Sequence, residues 1–136
     1  MFFLDTNVVI AVMTRRAPHL VARIEAELAH GTPLLLSTIV LYELEYGACK
    51  SAHPERNLAR IGDFLVSVAA IVPLDVEDAR EAGDIRAFLE AKGTPIGPYD
   101  VLIAAQARRR RIALVTGNRR EFDRVPGLVM TDWTAA

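Results

Sequence analysis

The sequence predicts an α/β fold, an α/β/α sandwich built around a mainly parallel central sheet. Three observations lead there. Short apolar runs alternate with longer helical patterns along the chain, the strand–helix rhythm that parallel sheets require. The runs are nearly continuous in apolar character rather than alternating, as in strands buried on both faces. The 136 residues, 51% hydrophobic and 24% charged, suit one domain, which at this length hides about two-thirds of the surface that its unfolded chain exposes. A single domain over residues 1–136 is therefore expected.

The elements follow in order. Phe2-Phe3-Leu4 is the first strand and Leu34-Leu35-Leu36 the second. Ile71-Val72 is the third, Ile112 to Val115 the fourth, and Leu128-Val129-Met130 a short fifth. Between them, Pro18 to Ala29 reads as a helix, and Ser37 caps the next. A helix over Pro54 to Ala70 opens with Pro and Glu in its first turn. Asp75 caps another that ends by Gly93, and Gly97-Pro98 opens the helix that carries Asp100 into the Arg108 to Arg111 block. The signals used are side-chain caps at helix starts, Pro in the first turn and Gly beyond the end.

Composition narrows the functional classes. The net charge is −1 and the isoelectric point about 6.3, so the molecule carries no global basic footprint. The balance hides a local skew: only Lys50 and Lys92 are lysines, and seven arginines fall between Arg108 and Arg124. Planar guanidinium groups suit phosphate recognition, although cations at a helix end also oppose the helix dipole. No apolar run approaches the roughly 18 residues of a membrane span. No basic leader precedes the apolar N-terminus, and a lone Cys49 excludes an intramolecular disulfide, so a cytoplasmic location is expected. His19, His30 and His53 are scattered, with no serine elbow beside them. Cys49 and His53 stand four residues apart, which reads as a buried cysteine and a surface histidine rather than a zinc site. There is no glycine-rich phosphate loop with a lysine. A phosphoryl-accepting Asp5 would need a second Asp or a lysine close by, and Asn7 and the scarcity of lysine speak against it.

Chemistry concentrates instead on acids in apolar company. Asp5 directly follows the first strand in Leu4-Asp5-Thr6-Asn7, where it can cap a helix or serve a site at the carboxyl end of the sheet. Glu43 lies in Thr38-Ile39-Val40-Leu41-Tyr42-Glu43-Leu44-Glu45-Tyr46-Gly47, with Ile39, Val40, Tyr46 and Gly47 as its helical neighbours. A carboxylate on such a face is costly without a compensating charge; Glu45 has similar surroundings. Asp100 repeats the pattern, with Ile103 and Ala104 at i+3 and i+4. A fourth polar region, Thr116-Gly117-Asn118-Arg119-Arg120-Glu121-Phe122-Asp123, offers neutral oxygens and two further acids. If these groups converge they make an all-oxygen site, which disfavours zinc and suits Mg²⁺ or Mn²⁺. Such ions activate water and stabilise the leaving oxygen in displacement at phosphorus, with arginines on the rim to hold a polyanionic backbone.

At these motifs the chain resembles the PIN-domain ribonucleases, specifically the VapC toxins of bacterial toxin–antitoxin pairs. The resemblance runs from Leu4-Asp5-Thr6-Asn7 to Asp132-Trp133. It takes in Tyr42-Glu43-Leu44-Glu45-Tyr46-Gly47, Ile96-Gly97-Pro98-Tyr99-Asp100 and Val115-Thr116-Gly117-Asn118 through Glu121-Phe122. The Thr116 to Phe122 stretch and the closing Val125-Pro126-Gly127-Leu128 are most similar to the branch that cleaves initiator transfer RNA in its anticodon stem-loop. The resemblance implies a PIN-like α/β/α sandwich and an endoribonuclease using Mg²⁺ or Mn²⁺ to leave 5′-phosphate and 3′-hydroxyl ends. Asp5 and Asp100 would be direct metal ligands, and Glu43 a ligand through water or a positioner of the attacking water. Thr6, Thr116 and Asn118 would orient the carboxylates. Many PIN domains carry an aspartate at the position of Asn118, so here the fourth charge falls to Glu121 or, failing that, Asp123. Arg108, Arg119 and Arg120 are the candidate RNA contacts. The implied partners are a cognate VapB-type antitoxin, a second copy of the chain and, through the antitoxin alone, operator DNA. The apolar helices between Thr38 and Ala70 could seat an antitoxin segment. The rival expectation is a PIN-like module that binds RNA or a partner without cutting.

Overall fold

A computed structural model describes residues 1–134; Ala135 and Ala136, the end of the expected 1–136 domain, lie outside the described residues. Five strands and seven helices are seen among them: β1 (Phe2–Leu4), α1 (Thr6–Met13), α2 (Pro18–Ala29), β2 (Leu34–Ser37), α3 (Thr38–Cys49) and α4 (Pro54–Leu65). They continue with β3 (Ala70–Val72), α5 (Val76–Ala91), α6 (Pro98–Arg110), β4 (Ala113–Val115), α7 (Arg119–Phe122) and β5 (Met130–Thr131). The strands form one sheet in the order β3-β2-β1-β4-β5, and each neighbouring pair is parallel, so the sheet is parallel throughout.

The order has a functional consequence. From β1 the chain steps to β2 and β3 on one side, then crosses back to place β4 and β5 on the other. The reversal leaves a topological switch between β1 and β4, and in open α/β sheets ligands sit beyond the carboxyl ends of the strands at such a switch. Right-handed crossovers put the helices that precede β3 on one face, and α5 and α6 on the other. The central strands are accordingly covered on both sides: Phe3, Leu4, Leu34, Leu36, Leu114 and Val115 are all buried.

Local chemistry accounts for the helix starts. The Ser37 hydroxyl accepts from the Ile39 amide at 3.0 Å. Asp75 and Asp78 close a reciprocal capping box, and prolines occupy the first turns of α2, α4 and α6. Several expectations need correction. The helix from Pro54 stops at Leu65, not Ala70, because the chain turns at Val66–Val68 and the Ala69 amide joins the sheet by donating to the Leu34 carbonyl. The third strand is not buried on both faces: β3 is an edge, and Ala70 and Ile71 are exposed. The fifth strand begins later, at Met130, after a turn in which Gly127 takes a φ of +76°. Cys49 is exposed rather than buried, at the last position of α3. No described helix is long and apolar enough to cross a membrane.

Candidate active site

Asp5 stands at the end of β1, beside the switch, where a helix cap and a place at the carboxyl end of the sheet are open to the same side chain. Its Oδ1 caps α1 by accepting from the Thr6 amide at 2.8 Å, and its Oδ2 accepts from the buried Thr116 hydroxyl, also at 2.8 Å. Thr116 follows β4, so this bond ties together the two strands that flank the switch. The same Thr116 oxygen accepts from the Asn118 amide at 3.0 Å. Each Asp5 oxygen keeps a second lone pair, since an ionised carboxylate has about four acceptor positions. Asp5 is 5% exposed. Burial pushes its carboxyl above the usual range, the Thr116 and Thr6 hydrogen bonds pull it back, and the charge of Glu121 pushes it up again.

Glu43 enters from α3. Its Oε1 accepts from the Thr6 hydroxyl at 2.8 Å, so Thr6 serves Asp5 through its amide and Glu43 through its side chain. This separates Glu43 from Glu45, which is exposed on the same helix. Asp100 lies in the first turn of α6. Burial first, then a hydrogen bond with Glu121, then the charges of Asp5, Glu121 and Glu43 push its carboxyl up to about 7. That set of causes brings the four acids into one electrostatic neighbourhood. Asn118 steadies the fourth, its amide donating to Glu121 Oε2 at 3.1 Å. Asp123 is exposed and takes no part, so Glu121 is the fourth acid of the cluster. Among the described residues, none of the four acids is ion-paired to an arginine or lysine.

The candidate arginines divide. Arg119 and Arg120 are exposed on α7, immediately after Asn118 and on the same short helix as Glu121. Arg108 is not at that rim. It lies eight residues beyond Asp100, about 12 Å down the helix, with its guanidinium committed to Glu81 at 2.8 Å, Asp84 at 3.1 Å and the Pro126 carbonyl at 3.2 Å. The fork joins α6 to α5, with three of its five N–H donors engaged inside the fold.

Two features of the site escaped sequence reasoning. Gly97 packs against Asp100: a Cβ there would stand 3.3 Å from Oδ2. Tyr42 and Tyr99 meet across the cleft, hydroxyl to hydroxyl at 3.2 Å. The available signal was that each tyrosine immediately precedes an acid, Tyr42-Glu43 and Tyr99-Asp100.

A family model described as PIN domain matches residues 2–128. The chain belongs to the PIN-domain family. This PIN domain is 42% identical over 132 residues to a Salmonella typhimurium protein named tRNA(fMet)-specific endonuclease VapC, covering 97% of each chain. It is 41% identical over the same length to Ribonuclease VapC2 of Haemophilus influenzae, again covering 97% of each. Among solved structures it superposes on a chain of DNA-bound VapBC from Salmonella typhimurium with a TM-score of 0.88, at 42% identity and 97% coverage of both. A chain of VapBC2 from Rickettsia felis, bound to a promoter DNA fragment, gives 0.89 at 32% identity, covering 97% of this chain and 98% of that one. The expected PIN-like sandwich is thus the fold of this chain.

Proposed function

We propose that this PIN domain is the VapC-type toxin of a toxin–antitoxin pair, a metal-dependent endoribonuclease that hydrolyses RNA, in particular transfer RNA in its anticodon stem-loop. The carrying observation is the cluster of Asp5, Glu43, Asp100 and Glu121 at the switch point with no ion-paired cation among the described residues. The relatives' names support the reaction and the substrate class.

The donor set fits Mg²⁺ or Mn²⁺. It is all oxygen, without histidine or cysteine, and burial and mutual repulsion keep Asp100 from ionising easily, a cost that a cation removes. Among the described residues no three acids already stand together as a metal-binding group, so a bound ion would have to complete its shell with waters and substrate phosphate. Asp5 and Asp100 would hold it, with Glu43 and Glu121 around it. When bound, the ion supplies positive charge for the water nucleophile and the leaving oxygen.

The chain's own groups do the positioning. Thr116 and the Thr6 amide fix Asp5, and the Thr6 hydroxyl fixes Glu43 through Oε1. Glu43 Oε2 is then available to take a proton from an attacking water. The water oxygen bonds to phosphorus in line with the departing 3′-oxygen, the P–O3′ bond breaks, and the 3′-oxygen gains a proton from solvent. The products are a 5′-phosphate and a 3′-hydroxyl. Arg119 and Arg120, exposed on the short helix that also carries Glu121, would contact flanking phosphates.

The partners in this reading are a VapB-type antitoxin, a second copy of the chain, and operator DNA reached through the antitoxin. A cleft of about 230 Å³ between α1, α3 and α4, lined by Ile10, Met13, Leu44, Ala48 and Ile61, opens beside Glu43 and offers an apolar seat for an antitoxin segment.

The test is antitoxin-free protein incubated with total transfer RNA and Mg²⁺ or Mn²⁺, beside Asp5→Asn and an EDTA control. Discrete cleavage by the unsubstituted protein with metal alone supports the reading, and sequencing the new ends names the bond. Folded, metal-bound protein that cuts no RNA would return the chain to the non-catalytic binding module.

A further inference from the structure

The chain has three tyrosines, and all three line one open cleft of about 680 Å³ whose wall also includes Glu43, Asn7 and Lys50. They are exposed: Tyr42 by 50%, Tyr46 by 57% and Tyr99 by 42%. Tyr42 and Tyr46 stand four residues apart on α3, on one face of the helix. Tyr99 opens α6 on the other side. The Tyr42 and Tyr99 rings meet edge to face, centroids 5.4 Å apart at 65°, and the bond between their hydroxyls holds the pair in register. Lys50, one of two lysines in the chain, holds its Nζ 4.7 Å from the centre of the Tyr46 ring. The cleft runs from this aromatic wall to Glu43 and Thr6, and so into the acid cluster.

An occupant must present flat π-faces to the tyrosines, negative charge to Lys50, and a phosphate to the acids and their metal. Single-stranded RNA meets all three demands, with exposed base faces and a continuous phosphate backbone in one chain. Bases unstacked in a loop seek aromatic partners, and such stacking tolerates any base because each has a π-face.

Building on the nuclease reading above, we propose that Tyr42, Tyr46 and Tyr99 form a stacking platform for bases of the unpaired RNA next to the scissile phosphate, with Lys50 holding a flanking phosphate. The platform positions the substrate and reads its single-stranded character; the acids cut.

The test uses a stem-loop RNA the size of an anticodon arm, carrying 2-aminopurine in its loop. Its fluorescence falls when the base stacks on an aromatic ring. Binding is measured with Asp100→Asn protein, so that no cleavage intervenes. The platform predicts quenching on binding, and a loss of about 10-fold in affinity, with loss of the quench, on adding Tyr42→Ala or Tyr46→Ala. Tyr42→Phe and Tyr46→Phe should bind within about 2-fold of the parent, because the ring is kept. Lys50→Gln should reduce the salt dependence of binding by about one phosphate contact. Both helical tyrosines are exposed, so their alanine variants keep the core intact.

Three results would overturn the platform: alanine variants that bind as the parent does, phenylalanine variants that lose as much as alanine, or binding losses that appear only with a change in oligomeric state, which would make the tyrosines an interface between copies. The unsubstituted protein is assayed for cleavage of the same RNA in parallel. If it cuts while the alanine variants bind normally, the platform fails and the nuclease reading stands. If it neither cuts nor binds any RNA, both fall.

Discussion

Asp5 and Asp100 meet their neighbours in opposite ways. Asp5 is buried but receives two hydrogen bonds, from the Thr6 amide and the Thr116 hydroxyl; Asp100 is surrounded mainly by other acids, which push it up to about 7 after burial has done the larger part. A carboxyl whose folded value is raised contributes stability that is full below its unfolded value near 4 and is lost as pH rises through 7. In metal-free protein at pH 8, Asp100→Asn should therefore stabilise the fold by about 1–2 kcal/mol, discounted for the solvent-facing side of the carboxyl, while removing cleavage. Thermal melts in EDTA at pH 5 and pH 8 check this; a gain at pH 5 as large as at pH 8 would contradict the stated cause. Gly97 offers a second test. Its φ of −57° and ψ of 145° suit any residue, yet a Cβ would crowd Asp100 Oδ2 at 3.3 Å. Gly97→Ala should leave the melting temperature nearly unchanged and lower cleavage about 10-fold through displacement of an oxygen of the proposed metal site, since small misplacements at a reacting centre are costly. Unchanged cleavage by that variant would mean that the carboxylate has room to move.

At the scale of the element, α5 and α6 show how far a sequence can be read. Asp75 as a cap was legible because a cap is a local pattern, as were Ser37 and the prolines that open helices. What those helices are joined by was not, since that depends on which faces meet. The arginine block that invited a phosphate-binding reading is largely spent inside the fold: Arg108 on Glu81 and Asp84, and Arg109 and Arg110 on Asp75 and Asp78. Asp78 is fully buried between the helices. Burial alone would push it up, but hydrogen bonds from Arg110, the Asp75 amide and Arg109 outweigh that and hold it far below the usual carboxylate range. A depressed folded value contributes stability above the unfolded value near 4 and loses it as pH falls below, so this contact weakens in acid. Asp78→Asn should destabilise the protein by about 3 kcal/mol at pH 7, the low end for a broken buried pair because the arginines are part-solvated, and by much less near pH 2. Urea unfolding at the two pH values measures the difference, and an equal loss at both would assign the effect to packing. The exposed edge of β3 was likewise illegible, because an edge strand is defined by its place in the sheet order rather than by its own residues.

Across the whole molecule, the site exists because of sheet order. The acids come from positions 5, 43, 100 and 121, and each looks ordinary in its own segment: a cap, a helix surface, a first-turn acid, a short helix. Their repetition beside strands and on apolar helix faces made a shared site legible, and the resemblance ordered them. The choice between Glu43 and Glu45, or Glu121 and Asp123, needed the fold, since only packing of α1 on α3 brings the Thr6 hydroxyl to Glu43 and only the turn at Asn118 aims its amide at Glu121. Convergence also places carboxylates from four segments where they repel one another, so in metal-free protein the site opposes the fold that creates it. A divalent cation that binds the native state alone must then stabilise the whole domain, by about 2.7 kcal/mol when present at 100 times its dissociation constant. For a chain of this length that is a rise in melting temperature on the order of 10 °C. Titrating Mn²⁺ into EDTA-stripped protein at pH 8 while following thermal unfolding should reveal that rise, and Asp5→Asn should abolish most of it. No shift at millimolar Mn²⁺, in protein that melts cooperatively, would remove the metal from the proposed mechanism.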